Sequence, residues 1–279
     1  MREFLRLAAL LMLWGVMLVV ASLLSGLLGF AVTDIQDAAT AHKAAGGNAF
    51  VLLVTFGGAA YLYFALLGRA EGWNLLRGVG ADGATYGWIA LFMAGLFLVL
   101  PWLGLDEESF RLPPSLHEVE VALEAQEARV EEIMQKLITY GSLPLLLLFM
   151  AVAPGFCEEF FFRGAFQYQL RRLMNPHLAV WLTGLIFSLV HLQVYGLVPR
   201  WLLGVVMGYL TLWSGRLWPA AWAHFLNNAY ATVVAYAGVH WLGHPEWIAS
   251  TYRPPFVLAI VGAAIAGAAG FQVYKKLRG

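Results

Sequence analysis

The sequence predicts an all-α fold: a polytopic membrane bundle of about eight transmembrane helices, with the N and C termini cytoplasmic. Three observations carry this. Of 279 residues, 61% are hydrophobic and 12% charged, about half the charged fraction of a soluble domain. The apolar residues gather in runs close to the ~20 residues a membrane-crossing helix needs. Lys and Arg cluster in alternate loops, as the positive-inside rule requires.

The first run, MREFLRLAALLMLWGVMLVVASLLSGLLGF, has a basic start and an apolar stretch longer than the ~7–15 residues of a signal-peptide core. It reads as a retained first span over 6–32 that also serves as an uncleaved signal anchor. Further spans fall at about 48–68, 86–104, 142–168, 177–197, 198–214, 217–238 and 255–274. A cytoplasmic N-terminus places Arg2, Arg6, Arg69, Arg77, Arg171, Arg172, Arg216, Lys275, Lys276 and Arg278 inside. The short outer loops then keep Lys43, Arg200 and Arg253.

The segment 105–141 interrupts this rhythm. It opens with Asp106, Glu107 and Glu108 and passes Pro113-Pro114. Leu116, Val119, Leu123, Val130, Ile133, Met134 and Leu137 then fall near helical spacing with acids between them. That pattern predicts an amphipathic helix on the outer membrane surface, either a connector packed on the bundle or a gate for substrate. Gly204 and Gly208 in the sixth span, and Gly262, Ala266, Gly267 and Gly270 in the eighth, predict close helix approach. The organisation is a three-span N-terminal region with the acidic segment (1–141), a core (142–238) and a C-terminal span (239–279).

A net charge of zero gives a nucleic-acid partner no electrostatic support. A single cysteine, Cys157, excludes an intrachain disulfide and reads as a buried small hydrophobe. His42, His117, His177, His240 and His244 fall in loops or at span ends and read as solvated. The partners left are membrane lipid and a membrane-anchored protein or peptide.

Polar residues inside the spans are the functional candidates, because a charge at the bilayer centre costs about 2.5–3.5 kcal/mol on insertion scales. Three groups stand out: Glu158, Glu159 and Arg163 in CEEFFFRG; His191 in FSLVHL; His224, Asn227 and Asn228 in HFLNN. Adjacent helical residues point about 100° apart, so the two glutamates take different roles. Glu159 and Arg163 are i and i+4 with the acid first, the favourable order for an ion pair. Glu158 has no such local partner and is left to exchange protons.

A turn is predicted at Met174, Asn175 and Pro176, midway between Glu158 and His191. Antiparallel helices folded there put both at similar depth, roughly 24 Å from the turn at 1.5 Å per residue. His224 and Asn228, also i and i+4, share a helix face. Two schemes suit the set. Glu158, His191 and His224 hold a divalent metal such as zinc that activates water. Otherwise Glu158 with His191 deprotonates water directly, while His224 and Asn228 stabilise the oxyanion. HExxH, the commonest zinc-protease signature, is absent.

EEFFFR, FSLVH and HFLNN resemble the EExxxR, FxxxH and HxxxN motifs of the CAAX prenyl protease type II family, also called the CPBP or Abi family of intramembrane proteases. The resemblance covers about 142–238. It implies a helical bundle that hydrolyses peptide bonds within or beside the membrane. By similarity Glu158 is the water-activating glutamate, Glu159 and Arg163 the paired acid and arginine, and His191, His224 and Asn228 the remaining catalytic set. Eukaryotic members cleave prenylated CAAX termini; many prokaryotic relatives are linked to bacteriocin immunity or surface-protein processing. The family is described both as metalloproteases and as metal-independent glutamate proteases, and this residue set favours the second. The expected localisation is the plasma or inner membrane. Two other classes fit less well: a non-catalytic immunity or scaffold protein, and a proton-coupled transporter, which lacks support from any inverted repeat.

Overall fold

The computed structural model describes residues 1–30, 32, 34–67, 73–105, 112–248 and 252–278. Arg69, Asp106, Glu107 and Glu108 lie outside the described residues. Among the described residues the regular structure is entirely helical. The main helices are α1 (Arg2–Leu27), α2 (Ala38–Leu66), α3 (Gly83–Leu103), α4 (His117–Tyr140), α5 (Leu143–Leu170), α6 (Pro176–Leu189), α7 (Leu197–Ser214), α8 (Trp218–Ala237) and α9 (Phe256–Arg278). Six of them, α1, α2, α3, α5, α7 and α9, are long and apolar enough to cross a membrane. The chain is an integral membrane protein. The fifth and seventh expected spans form as α6 and α8. With 14 residues, α6 spans only about 21 Å, and α8 carries His224, Asn227 and Asn228 among its apolar residues.

Boundaries moved where local chemistry outweighed hydropathy. The second helix begins ten residues before the expected position, because Asp37 accepts from Thr40 N at 2.8 Å while the Thr40 hydroxyl returns to Asp37 N. This capping box starts a helix in a small, polar stretch. Lys43, expected in an outer loop, is therefore helical. The fifth span, expected to reach 197, stops at Leu189, where the chain turns back. Leu192 has φ +54°.

Glycines set the tightest contacts. A Cβ on Gly204 would lie 2.7 Å from Gly184 Cα, and one on Gly95 would lie 2.6 Å from Gly262 O. The hairpin α6–α7 and the pair α3–α9 thus close backbone to backbone, as small residues permit in lipid. Gly270 faces Phe92, but Gly267, expected in the same interface, has open space at its Cβ position.

The acidic segment departs most from expectation. It is helical, as α4, but its apolar residues do not form one inner face: Leu116, Val119 and Ile133 are exposed, while Glu120 and Glu127 are buried. Leu137 and Ile138 enter a small core with Ile35, Ala41, Ala45 and Leu146. Two histidines expected in solvent fasten this end. His42 Nε2 accepts from Ser142 N at 2.9 Å, and His240 Nε2 donates to Ile138 O at 2.9 Å. Arg200, expected in an outer loop, lies in the first turn of α7 and is half-buried.

Candidate active site

The site is built on α5. Pro154 interrupts this helix, and two π-helical stretches, Leu148–Val152 and Phe160–Gln167, flank the residues that precede Phe160. Such widened turns re-aim side chains and recur at functional sites. Pro154 has no N–H to offer the carbonyl four residues back, that of Met150. Asn228 Nδ2 donates to Met150 O at 3.1 Å and fills that role. Asn228, expected beside His224 as an oxyanion donor, thus has one amide hydrogen committed to α5; the other has no partner among the described residues. Its carbonyl accepts from Asn227.

Glu159 and Arg163 are fully buried and paired at 2.6 Å, on the spacing the sequence predicts. Arg163 Nη2 donates to Gly204 O at 2.9 Å, and Cζ lies 4.6 Å from the Phe187 centroid, while Nε is buried with no hydrogen-bond partner among the described residues. One turn on, Gln167 Nε2 donates to Gly208 O at 3.0 Å. The two glycines of α7 therefore serve twice: they admit α6 and α5 closely, and their carbonyls accept from α5.

The same Glu159 oxygen also accepts from His224 Nδ1 at 2.8 Å. A carboxylate accepts only, so Nδ1 carries the proton. The opposite nitrogen, Nε2, lies 3.9 Å from Glu158 Oε2. The two adjacent glutamates thus face opposite edges of one imidazole, Glu159 bonded to it and Glu158 not. Glu158 is 6% exposed, and its Oε2 has no hydrogen-bond partner among the described residues.

His191 stands just beyond α6. Its Nδ1 bonds to Phe187 O at 2.8 Å; the carbonyl accepts, which leaves Nε2 as the open lone pair of the neutral ring. Phe187 sits between the histidines, with ring centroids 5.1 Å from His191 and 5.6 Å from His224. His191 makes no hydrogen bond to Glu158 among the described residues. It lies within electrostatic reach of His224, Arg163 and Arg200, and Arg200 lies within reach of Glu158 and of Glu127 from α4. The structure therefore brings Glu158, Glu159, Arg163 and His224 into one cluster, attaches His191 through Phe187, and turns the bonded edge of Asn228 toward Met150.

Both Nδ1 atoms are committed, to Glu159 Oε1 and Phe187 O, which leaves both Nε2 atoms with the lone pair a metal ion would use; among the described residues, however, no three His, Cys, Asp or Glu side chains are grouped to hold one. Cys157 is buried and packs near Gly57 of α2.

The long apolar helices define an integral membrane protein, and within its bundle a buried carboxyl faces an oriented imidazole. Residues 140–230, which hold every member of that site, match the family model for the type II CAAX prenyl endopeptidase Rce1-like family. The chain carries a domain of that family, as its motifs imply. No curated protein and no solved structure matches the chain.

Proposed function

We propose that the protein is an intramembrane endopeptidase that hydrolyses a peptide bond of a membrane-anchored protein with a water activated by Glu158 and His191. The observation that carries the reading is the Glu158 Oε2 edge: buried, unbonded, and 3.9 Å from an imidazole whose other nitrogen is tied to Glu159. In this reading the Nε2 lone pair of His191 accepts from the water and holds it while Glu158 removes its other proton, and the resulting hydroxide forms the new C–O bond at the scissile carbonyl. His224, in protonated form, and the open N–H of Asn228 donate to the tetrahedral oxyanion. The C–N bond then breaks as Glu158 returns its proton to the leaving amine, so all atoms balance. Glu159 fixes the His224 tautomer, and Arg163 balances the charge of Glu159. No step requires a metal.

The same reading places eight crossings in a plasma or inner membrane, with both termini cytoplasmic; the basic last turn of α9, with Lys275, Lys276 and Arg278, supports this orientation. Substrates are membrane-anchored chains, CAAX-type prenylated termini among them. An apolar groove between Val119, Ala122 and Leu123 of α4 and Leu192, next to His191, offers such a chain an approach.

The experiment is a survey of protein termini in membranes from cells expressing wild type or Glu158→Gln at matched levels. Termini that appear only with wild type, and persist with a chelator, support a metal-independent protease. Identical termini with both inserted proteins overturn it in favour of a binding or immunity role.

A further inference from the structure

One inward acid of α4 has a target on another element. Glu127 is 3% exposed, and its Oε2 accepts from Val194 N at 2.8 Å and from Tyr195 N at 3.3 Å. Both amides belong to the turn 190–196, which His191 opens. This turn contains Leu192, the sole non-glycine with positive φ among the described residues. A leucine keeps that conformation only where its surroundings impose it.

Four residues brace the turn here. Glu127 takes the two amides. Leu105 N donates to Tyr195 O at 3.0 Å. Arg200 Nη2 donates to Gln193 Oε1 at 2.9 Å. Ser188 Oγ donates to Leu197 O at 2.7 Å. Of these, Glu127 alone comes from α4, and α4 is itself anchored at its far end by His42, His240 and the Lys136–Asp34 pair at 3.4 Å.

We infer that Glu127 is a positioning residue for His191: by clamping the amides of Val194 and Tyr195, it holds the turn 190–196, and with it the His191 ring, against Phe187 and beside His224. The inference rests on the proposed role of His191 in the chemistry. It gives the acidic segment a function in the site that neither a connector nor a membrane-surface helix needs. It also explains why a helix with apolar residues to spare turns Glu127 inward. A carboxylate oxygen is a strong acceptor that spans two adjacent amides, and an apolar side chain would leave both buried and unpaired.

The test uses two substitutions that separate hydrogen bonding from charge. Glu127→Gln keeps the reach and an acceptor oxygen and loses the charge. Glu127→Asp keeps the charge and is one methylene too short. Full-length protein in liposomes is assayed on an internally quenched peptide with a farnesylated cysteine four residues from its C-terminus. In parallel, diethyl pyrocarbonate modification of His191 is followed by mass spectrometry. Positioning predicts that Glu127→Asp loses about 100-fold in kcat, the scale of an ångström-level misplacement, with KM within twofold and faster His191 modification. Glu127→Gln stays within threefold of wild type in both readouts. The reverse order, with Asp active and Gln impaired, assigns Glu127 an electrostatic role and overturns the inference. Wild-type values for both substitutions also overturn it. If wild type leaves the peptide intact, the protease reading fails for this substrate class. The modification rates then decide positioning alone: equal rates in all three proteins overturn it, and a rise confined to Asp upholds it.

Discussion

Glu159 and His224, 65 residues apart in sequence and on different helices, share a 2.8 Å hydrogen bond that also places the imidazole against Glu158. One carboxylate oxygen thereby serves both Arg163 and His224. Two substitutions at neighbouring positions should have opposite signatures.

Glu159→Gln should destabilise the protein by about 3–5 kcal/mol, because it leaves the fully buried Arg163 without its counter-charge. Glu158→Gln removes no bonded partner and should leave the thermal midpoint in detergent within the range of a neutral change, while cleavage falls by about 10²–10⁴-fold, the usual weight of a general base. Thermal unfolding of both variants checks this. A midpoint for Glu159→Gln equal to that of Glu158→Gln would show that the ion pair carries no stability.

Asn228 has two candidate duties, and Pro154 separates them. If its amide compensates the missing N–H of Pro154, Asn228→Ala should cost about 1–3 kcal/mol for the orphaned Met150 carbonyl. The penalty should shrink in a Pro154→Ala background, where residue 154 regains an N–H. Cleavage that stays low in the stable double variant would add a direct role at the oxyanion. An undiminished stability penalty would show that Met150 O is not what Asn228 serves.

Gly204→Ala pushes a methyl to within 2.7 Å of Gly184 Cα, backbone that has no rotamer to yield, and displaces the carbonyl under Arg163. A loss of about 1–3 kcal/mol is expected from overpacking. Gly267→Ala, with open space at its Cβ position, should be neutral or stabilising by about 0.5–1 kcal/mol from helix propensity. Equal midpoints for the two variants would contradict the assigned interface.

The cap of α2 gives a pH signature outside the spans. Hydrogen bonds from the Thr40 backbone and hydroxyl hold the Asp37 carboxyl below its ordinary 3.8. A depressed folded value contributes stability that is present above the unfolded pKa and lost as pH falls through the folded one. The difference in thermal midpoint between wild type and Asp37→Ala should be constant from pH 7 to about 5 and shrink below about 4. A difference that grows on acidification would reverse the sign.

Much of the site was legible because charge amid apolar sequence has few structural uses. CEEFFFRG announced itself, the i,i+4 spacing identified the Glu159–Arg163 pair, and the Asn175-Pro176 turn fixed the hairpin that brings α6 back along α5. The bond from Glu159 to His224 was not legible, since spacing within one helix says nothing about a partner on another. Glu127 was hidden for a different reason. It is one of several acids on α4, and no local pattern distinguishes the acid that faces a turn's amides from those that face water. Hydropathy also misplaced Arg200 and the start of α2: it registers greasiness, whereas a capping box and a half-buried guanidinium are decided by individual hydrogen bonds.

The carbonyls of Gly204 and Gly208 that receive Arg163 and Gln167 have a consequence for how this protein can change over time. The socket for the Arg163 cation and the Gln167 amide is written in main chain, which every residue possesses, and the helices that present it approach closely because two side chains are missing. Substitution elsewhere on α7 can leave the socket's chemistry untouched, while an added methyl at Gly204 meets the backbone of Gly184 and one at Gly208 meets the Gln167 side chain itself. Constraint here should fall on bulk instead of on functional groups, so a search that follows only reactive residues would pass over the positions where the site tolerates least.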